Sequence, residues 1–216
     1  MELLNRLGDE ASVAGMARFG ITGSQALGIR MPVLRALARE TGRDHALALG
    51  LWGTAVHEAR LLAVLVADPR ELTGDLMDRW VGDFDSWDIC DQACLSLFVK
   101  SPLAYEKAEE WTTRPGEFEK RAGFAMMAAL AVHDKKAPDE KFIRFLPLIS
   151  EHAVDDRNFV KKAVNWALRQ IGKRNRLLRD LAIQTARQLQ VLDSRPARWI
   201  ASDALRELTK PARPRK

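Results

Sequence analysis

From Met31 onward the apolar residues recur at three- and four-residue intervals, and period-two runs bounded by turns are nearly absent. The first pattern marks the buried stripe of an amphipathic α-helix, whereas the second would mark strands. The spacing predicts helices near 31–41, 43–51, 54–67, 71–81, 86–99, 103–112, 117–133, 139–151, 157–172, 176–191 and 195–208. Breaks fall at Asp68-Pro69, Ser101-Pro102, Arg114-Pro115-Gly116, Ala137-Pro138 and Ser194-Arg195-Pro196, where proline opens a helix or cannot continue one. A single Tyr and few Thr leave little strand-forming material.

The helices come in pairs. Similar starts occur at Ser86-Trp87-Asp88, Glu117-Phe118-Glu119, Asp155-Asp156-Arg157 and Asp193-Ser194-Arg195, at steps of 31, 38 and 38 residues. A helix pair repeated at this interval predicts an all-α fold, an α-solenoid of HEAT-like repeats with a concave basic face. An irregular helical bundle is the alternative. A single domain is expected over residues 1–209. Residues 210–216, Lys-Pro-Ala-Arg-Pro-Arg-Lys, are expected to form a disordered basic tail.

Composition adds exclusions. With 216 residues, 47% apolar and 29% charged, the chain suits a globular protein with a large core. No apolar run approaches the roughly 18 residues of a membrane span, and Met1–Arg6 lacks the features of a secretory leader. Two cysteines suit a reducing compartment. A cytoplasmic monomer is expected, associated with the nucleoid when bound to DNA. The net charge of +5 conceals an asymmetry: 16 Lys+Arg against 4 Asp+Glu from Arg157 onward, and 18 against 25 before it. A cationic third on an acidic body points to a polyanionic partner, nucleic acid first, with a solubilising distribution as the alternative.

Three positions depart from what packing alone requires. In the helix from Arg157, Val160, Ala163, Val164, Ala167, Leu168 and Ile171 form the core stripe, and Lys162, Trp166, Arg169 and Lys173 fall within about 60° of one another on the other side. The cations can neutralise phosphates and the indole offers a face to a sugar or base. Alternatively, Trp166 packs on a neighbour and the cations are solvated. In the helix near Ser86, Trp87 and Asp91 lie four apart at the margin of the face formed by Ile89, Cys90, Ala93, Cys94 and Leu97. An aromatic and a carboxylate at one edge can stabilise a developing cation or orient water; a salt bridge from Asp91 to an Arg is the alternative. Asp88, in the first turn, is explained by the helix dipole. Arg121 stands in the stripe of Ala125, Ala128 and Val132, where a guanidinium needs a phosphate or a carboxylate. Cys90 and Cys94 read as core thiols, and His57-Glu58 lacks the second His of a zinc-protease helix. No metal site and no nucleotide cofactor are expected.

Ser86-Trp87-Asp88-Ile89-Cys90-Asp91, Lys120-Arg121-Ala122 and Phe159–Arg169 together resemble the DNA alkylation repair family (AlkD-like HEAT-repeat DNA glycosylases). Met16-Ala17-Arg18-Phe19 and Leu27–Pro32 are similar to its N-terminal region, so the resemblance covers most of the chain in order. It implies a helical solenoid gripping double-stranded DNA that contains alkylated bases. It also implies hydrolysis of the N-glycosidic bond of cationic purines such as N3-methyladenine and N7-methylguanine, without metal or cofactor. Asp91 is then the catalytic carboxylate, Trp87 and Trp166 pack on sugars at the lesion, and Arg121 lines the same cleft. Phe19, Lys162, Arg169 and Lys173 are the expected DNA contacts. Phe19 stands where the family pattern has Tyr, which removes a hydroxyl, and Ser86 stands where some relatives have a second Trp. A non-catalytic HEAT-like DNA-structure-binding protein is the alternative function, and a protein-interaction solenoid a third.

Overall fold

The computed structural model describes residues 1–21 and 25–210. Among these there are helices and turns and no strand, as the periodicity predicts. The tail expected at 210–216 lies, beyond Lys210, outside the described residues. No described helix is long and apolar enough to cross a membrane. The chain divides into two compact units, Met1–Ala104 and Tyr105–Lys216.

The first unit contains α1 (Glu2–Arg6), α2 (Glu10–Met16), α3 (Met31–Thr41), α4 (His45–Gly53), α5 (His57–Val66), α6 (Gly74–Gly82) and α7 (Trp87–Ser96). The short α1 and α2 precede the region where the periodicity predicts helices. Starts shift from the sequence-based bounds where a local interaction fixes them. Asp44 accepts the Leu47 N–H at 2.8 Å, so α4 begins at His45. Ala55 takes a positive φ of 57°, which delays α5 to His57. Thr73 accepts the Leu76 N–H, so α6 begins at Gly74. α5 is packed between α3 and α7 and buries nearly its whole circumference, His57 and Glu58 included. Trp52 of α4 stacks on Trp80 of α6 with centroids 4.0 Å apart, and its Nε1 donates to Asp83.

The second unit contains α8 (Ala104–Trp111), α9 (Glu117–His133), α10 (Asp139–Ile143), α11 (Phe145–His152), α12 (Asn158–Gly172), α13 (Arg176–Gln190) and α14 (Arg195–Leu208). The bounds of α9 and α14 are those expected from sequence. The helix expected over 139–151 is two helices: Pro147 lacks an N–H and suits a first turn, so the chain restarts at Phe145. α12 packs along α9 on one side and along α14 on the other. α8 and α9 approach closely at Gly123, where a Cβ would stand 2.8 Å from the Thr112 nitrogen. Arg174 closes the C-terminus of α9, donating to the carbonyls of Ala131 and Asp134 at 2.9 Å while its guanidinium lies 3.8 Å from the Phe142 ring centroid.

Candidate functional site

In the first unit the interest centres on α7. Ile89, Cys90, Ala93 and Cys94 are fully buried, and this anchored face leaves Trp87 and Asp91 half-buried at its margin, as the four-residue spacing implies. Both cysteines are free thiols. The Trp87 Nε1 donates to the Phe19 carbonyl at 2.9 Å. Phe19 ends a single 3₁₀ turn, Ala17–Phe19, closed by Gly20, and the residue is 71% exposed. Trp87, Asp91 and Phe19, spread over 73 positions of sequence, thus belong to one neighbourhood of this unit.

Two further residues, His57 and Glu58, hold that neighbourhood in place; from sequence they were weighed only as an incomplete zinc-protease motif. His57 Nε2 lies 2.9 Å from Asp88 Oδ2. Burial pushes the imidazole pKa down, but the Asp88 hydrogen bond and the charges of Asp88, Glu58 and Asp85 outweigh it and leave His57 above its ordinary value. Burial likewise pushes Asp88 up, and the His57 hydrogen bond and charge bring it below the usual carboxylate range. Asp88 is therefore an ion-pair partner that fixes the first turn of α7, beyond any interaction with the helix dipole. Glu58, almost fully buried, accepts the Leu27 and Gly28 N–H groups with one oxygen each, both at 2.7 Å. Gly28 has a φ of +78°, and a Cβ there would stand 2.2 Å from the Asp9 carbonyl oxygen. The visible signal was a His-Glu pair opening a helix whose remaining residues are mostly apolar.

In the second unit Arg121 is buried, with 6% of its surface exposed, and its Nη1 donates to the Phe159 carbonyl at 2.7 Å. Glu117 accepts the N–H of the same Phe159 at 3.1 Å, so the first turns of α9 and α12 are tied at both backbone atoms of one residue. The core stripe of α12 from Val160 to Ile171 is fully buried. On its other side Lys162 and Lys173 are exposed, and Trp166 and Arg169 are half-buried.

These four do not form a uniform cationic face. Arg169 Nη1 lies 2.8 Å from Glu207 Oε2 and 3.4 Å from Asp203, and Lys173 Nζ lies 2.7 Å from Glu207 Oε1. Asn165 donates to Asp203 at 2.7 Å, and the Lys161 ammonium sits 5.1 Å from the Trp199 ring centroid. Burial pushes the Glu207 carboxyl up, but Lys173 and Arg169 hold it below its ordinary value. α12 and α14 are thus joined by a polar ladder, with rungs at residues 161, 165 and 169 meeting 199, 203 and 207. Lys162 stays outside it, with its ammonium 6.0 Å from the Phe159 ring.

A family model described as DNA alkylation repair enzyme matches residues 1–208. No curated protein matches the chain. Among solved structures, the chain is similar to one described as "a new family of proteins related to the HEAT-like repeat DNA glycosylases with affinity for branched DNA structures". The identity is 19% and the TM-score 0.79, over 95% of this chain and 92% of that one. At that identity the likeness carries the fold, a HEAT-like helical repeat.

Proposed function

The chain belongs to the DNA alkylation repair enzyme family, and on that premise we propose that it is a DNA N-glycosylase that hydrolyses the N-glycosidic bond of cationic alkylated purines in duplex DNA. The observation that carries this reading is the Trp87–Asp91 edge of α7, with the exposed Phe19 held next to it through the indole N–H. An alkylated purine already bears positive charge, so it leaves as a neutral base without a strong acid. When the C–N bond breaks, its electron pair goes to the purine and positive charge passes to the sugar. The Asp91 carboxylate stabilises that oxocarbenium ion and orients the water whose oxygen bonds to the anomeric carbon, the water proton passing to solvent. The Trp87 indole favours the same cation through its π face. Trp166 and Lys162 are assigned to the DNA backbone, as a sugar platform and a phosphate-directed charge.

The test is base release from duplex DNA containing N-methylpurines. Asp91→Asn should lower excision at least about 100-fold, the scale of losing one transition-state electrostatic contact. Its DNA affinity should be unchanged or higher, because a negative charge near phosphates is removed. Undiminished turnover by the variant would sink the role of Asp91.

A second reading, a non-catalytic DNA-structure binder, is favoured by one observation: the similar solved structure is described as having affinity for branched DNA. It predicts no base release by the wild type, with tighter binding to a four-way junction than to a linear duplex.

A further inference from the structure

The first turn of α5 carries three charged side chains into the interior of the first unit: His57 and Glu58 are each 1% exposed, and Arg60 9%. Each holds a different segment. Glu58 holds the 27–28 backbone. Arg60 holds the turn before α7, its Nη1 donating to the Asp83 carbonyl at 2.9 Å and lying 3.7 Å from Asp85. His57 holds α7 itself, through Asp88. Asp88 follows Trp87 directly and precedes Asp91 by three residues, so it sits in the turn of helix that joins the two candidate groups. Among the described residues, His57 is the cation paired with Asp88.

The charges around His57 come from several elements. Asp85, in the turn before α7, and Glu58, on α5, act on it in the same sense as Asp88. From α3, Arg35 and Arg39 lie beside Leu65, about 12 Å along α5 from His57, and Arg30 bears on Asp9. From α4, Asp44 and His45 stand at the far end of α5, where the Asp44 N–H donates to the Val66 carbonyl. Burial would drive the proton off His57; Asp88 above all, with Glu58 and Asp85, keeps it on.

We propose that the His57–Asp88 pair is a proton-controlled latch on the Trp87–Asp91 edge: protonated His57 holds the edge in its working geometry, and neutral His57 releases it. The proposal rests on the reading of that edge as the reaction centre. His57 touches no substrate and is a positioning residue. When its proton leaves, Nε2–H still donates, but a neutral donor gives roughly half the strength of a charged one. Asp88 is then a poorly hydrated carboxylate without a counter-charge, an unfavourable state. Its side chain is 22% exposed, so it has a path to water. As it turns outward it draws the first turn of α7 with it, and Trp87 shifts from the Phe19 carbonyl that its indole N–H meets at 2.9 Å.

The experiment follows that movement and the reaction side by side. The full chain carries 13C-labelled tryptophan, and the Trp87 ring signals, identified by their loss in Trp87→Phe, are recorded by NMR from about pH 5.5 to 9, the range that brackets a raised histidine pKa. In the wild type they should shift in one transition, above the ordinary histidine range. In His57→Gln that transition should be absent. Asp88→Asn keeps an acceptor for His57 and removes the charge, so it should move the transition to lower pH. Base release from N-methylpurine duplex over the same range should show kcat falling about tenfold or more across the same transition, with KM nearly constant, as expected when a reacting group is displaced rather than binding lost. His57→Gln should begin about tenfold lower at the acid end and lose the alkaline fall. A wild-type Trp87 signal that does not titrate, or an equal alkaline fall in His57→Gln, overturns the latch. A loss in His57→Gln that is the same at every pH overturns it too, leaving His57 a packing residue. No base release by the wild type at any pH sinks the reading of the edge as a reaction centre; a Trp87 transition that His57→Gln abolishes would still support the latch.

Discussion

The two units fix their candidate residues by opposite means. In the first, the positioning charges are inside: His57 and Glu58 are each about 1% exposed, and they hold α7 and the 27–28 backbone from beneath. In the second, they are at the surface: Arg169, Lys173, Asp203 and Glu207 form a half-exposed ladder along α12 and α14. Buried polar contacts are costly to break, because the group left behind has lost its water. Surface ion pairs contribute little stability and are screened by salt. The first arrangement therefore protects the geometry of the Trp87–Asp91 edge. The second sets how much positive charge α12 offers to a partner, and it can be adjusted without unfolding anything.

The contrast is broken most severely by Glu58→Ala. Two backbone N–H groups lose a charged acceptor, and the expected cost is about 3 kcal/mol in urea unfolding. A loss under about 1 kcal/mol would mean that the 27–28 segment is held by something else. Next comes the His57–Asp88 pair. His57 has a raised folded pKa, so its contribution is complete below about 6.5 and fades as pH rises through the raised value. Asp88 has a lowered one, so its contribution is complete above about 3.8 and fades as pH falls through the lowered value. His57→Gln should therefore cost most, about 1–2 kcal/mol, between pH 4 and 6.5, with the gap to wild type narrowing on both sides. A gap independent of pH would leave only packing to explain it. The smallest effect on stability, under about 1 kcal/mol, is expected of Glu207→Gln. That variant should nevertheless bind duplex DNA about three- to tenfold more tightly at low salt, because Arg169 and Lys173 lose their shared carboxylate. Unchanged affinity would show that the ladder does not regulate the α12 charge.

The helices themselves were legible where periodicity and punctuation agreed, as at α3, α9 and α14, whose bounds match expectation. α1 and α2 were not, because five and seven residues are too few to establish a 3.6-residue period. The Trp87–Asp91 edge followed from spacing alone, but its attachment to Phe19 did not, because the acceptor is a backbone carbonyl and every residue has one. The same holds for Glu58, whose partners are backbone N–H groups. The ladder is a different case. Lys161 meets Trp199, Asn165 meets Asp203, Arg169 meets Glu207 and Arg121 meets Phe159, all at a separation of 38 residues. That is the repeat step visible in the sequence, so aligning each repeat with the next would have paired them. Reading α12 by itself made Arg169 and Lys173 look uncompensated.

That constant offset has a consequence for how such a chain can change over generations. A substitution at one rung alters one contact and leaves the others standing. Inserting or deleting one residue within α12 or α14 turns the rest of that helix by about 100°, so every later rung loses its partner at once. Lineages of this protein should therefore vary freely in rung identity while keeping the lengths of these two helices, with length changes confined to the turns at 173–175 and 191–194.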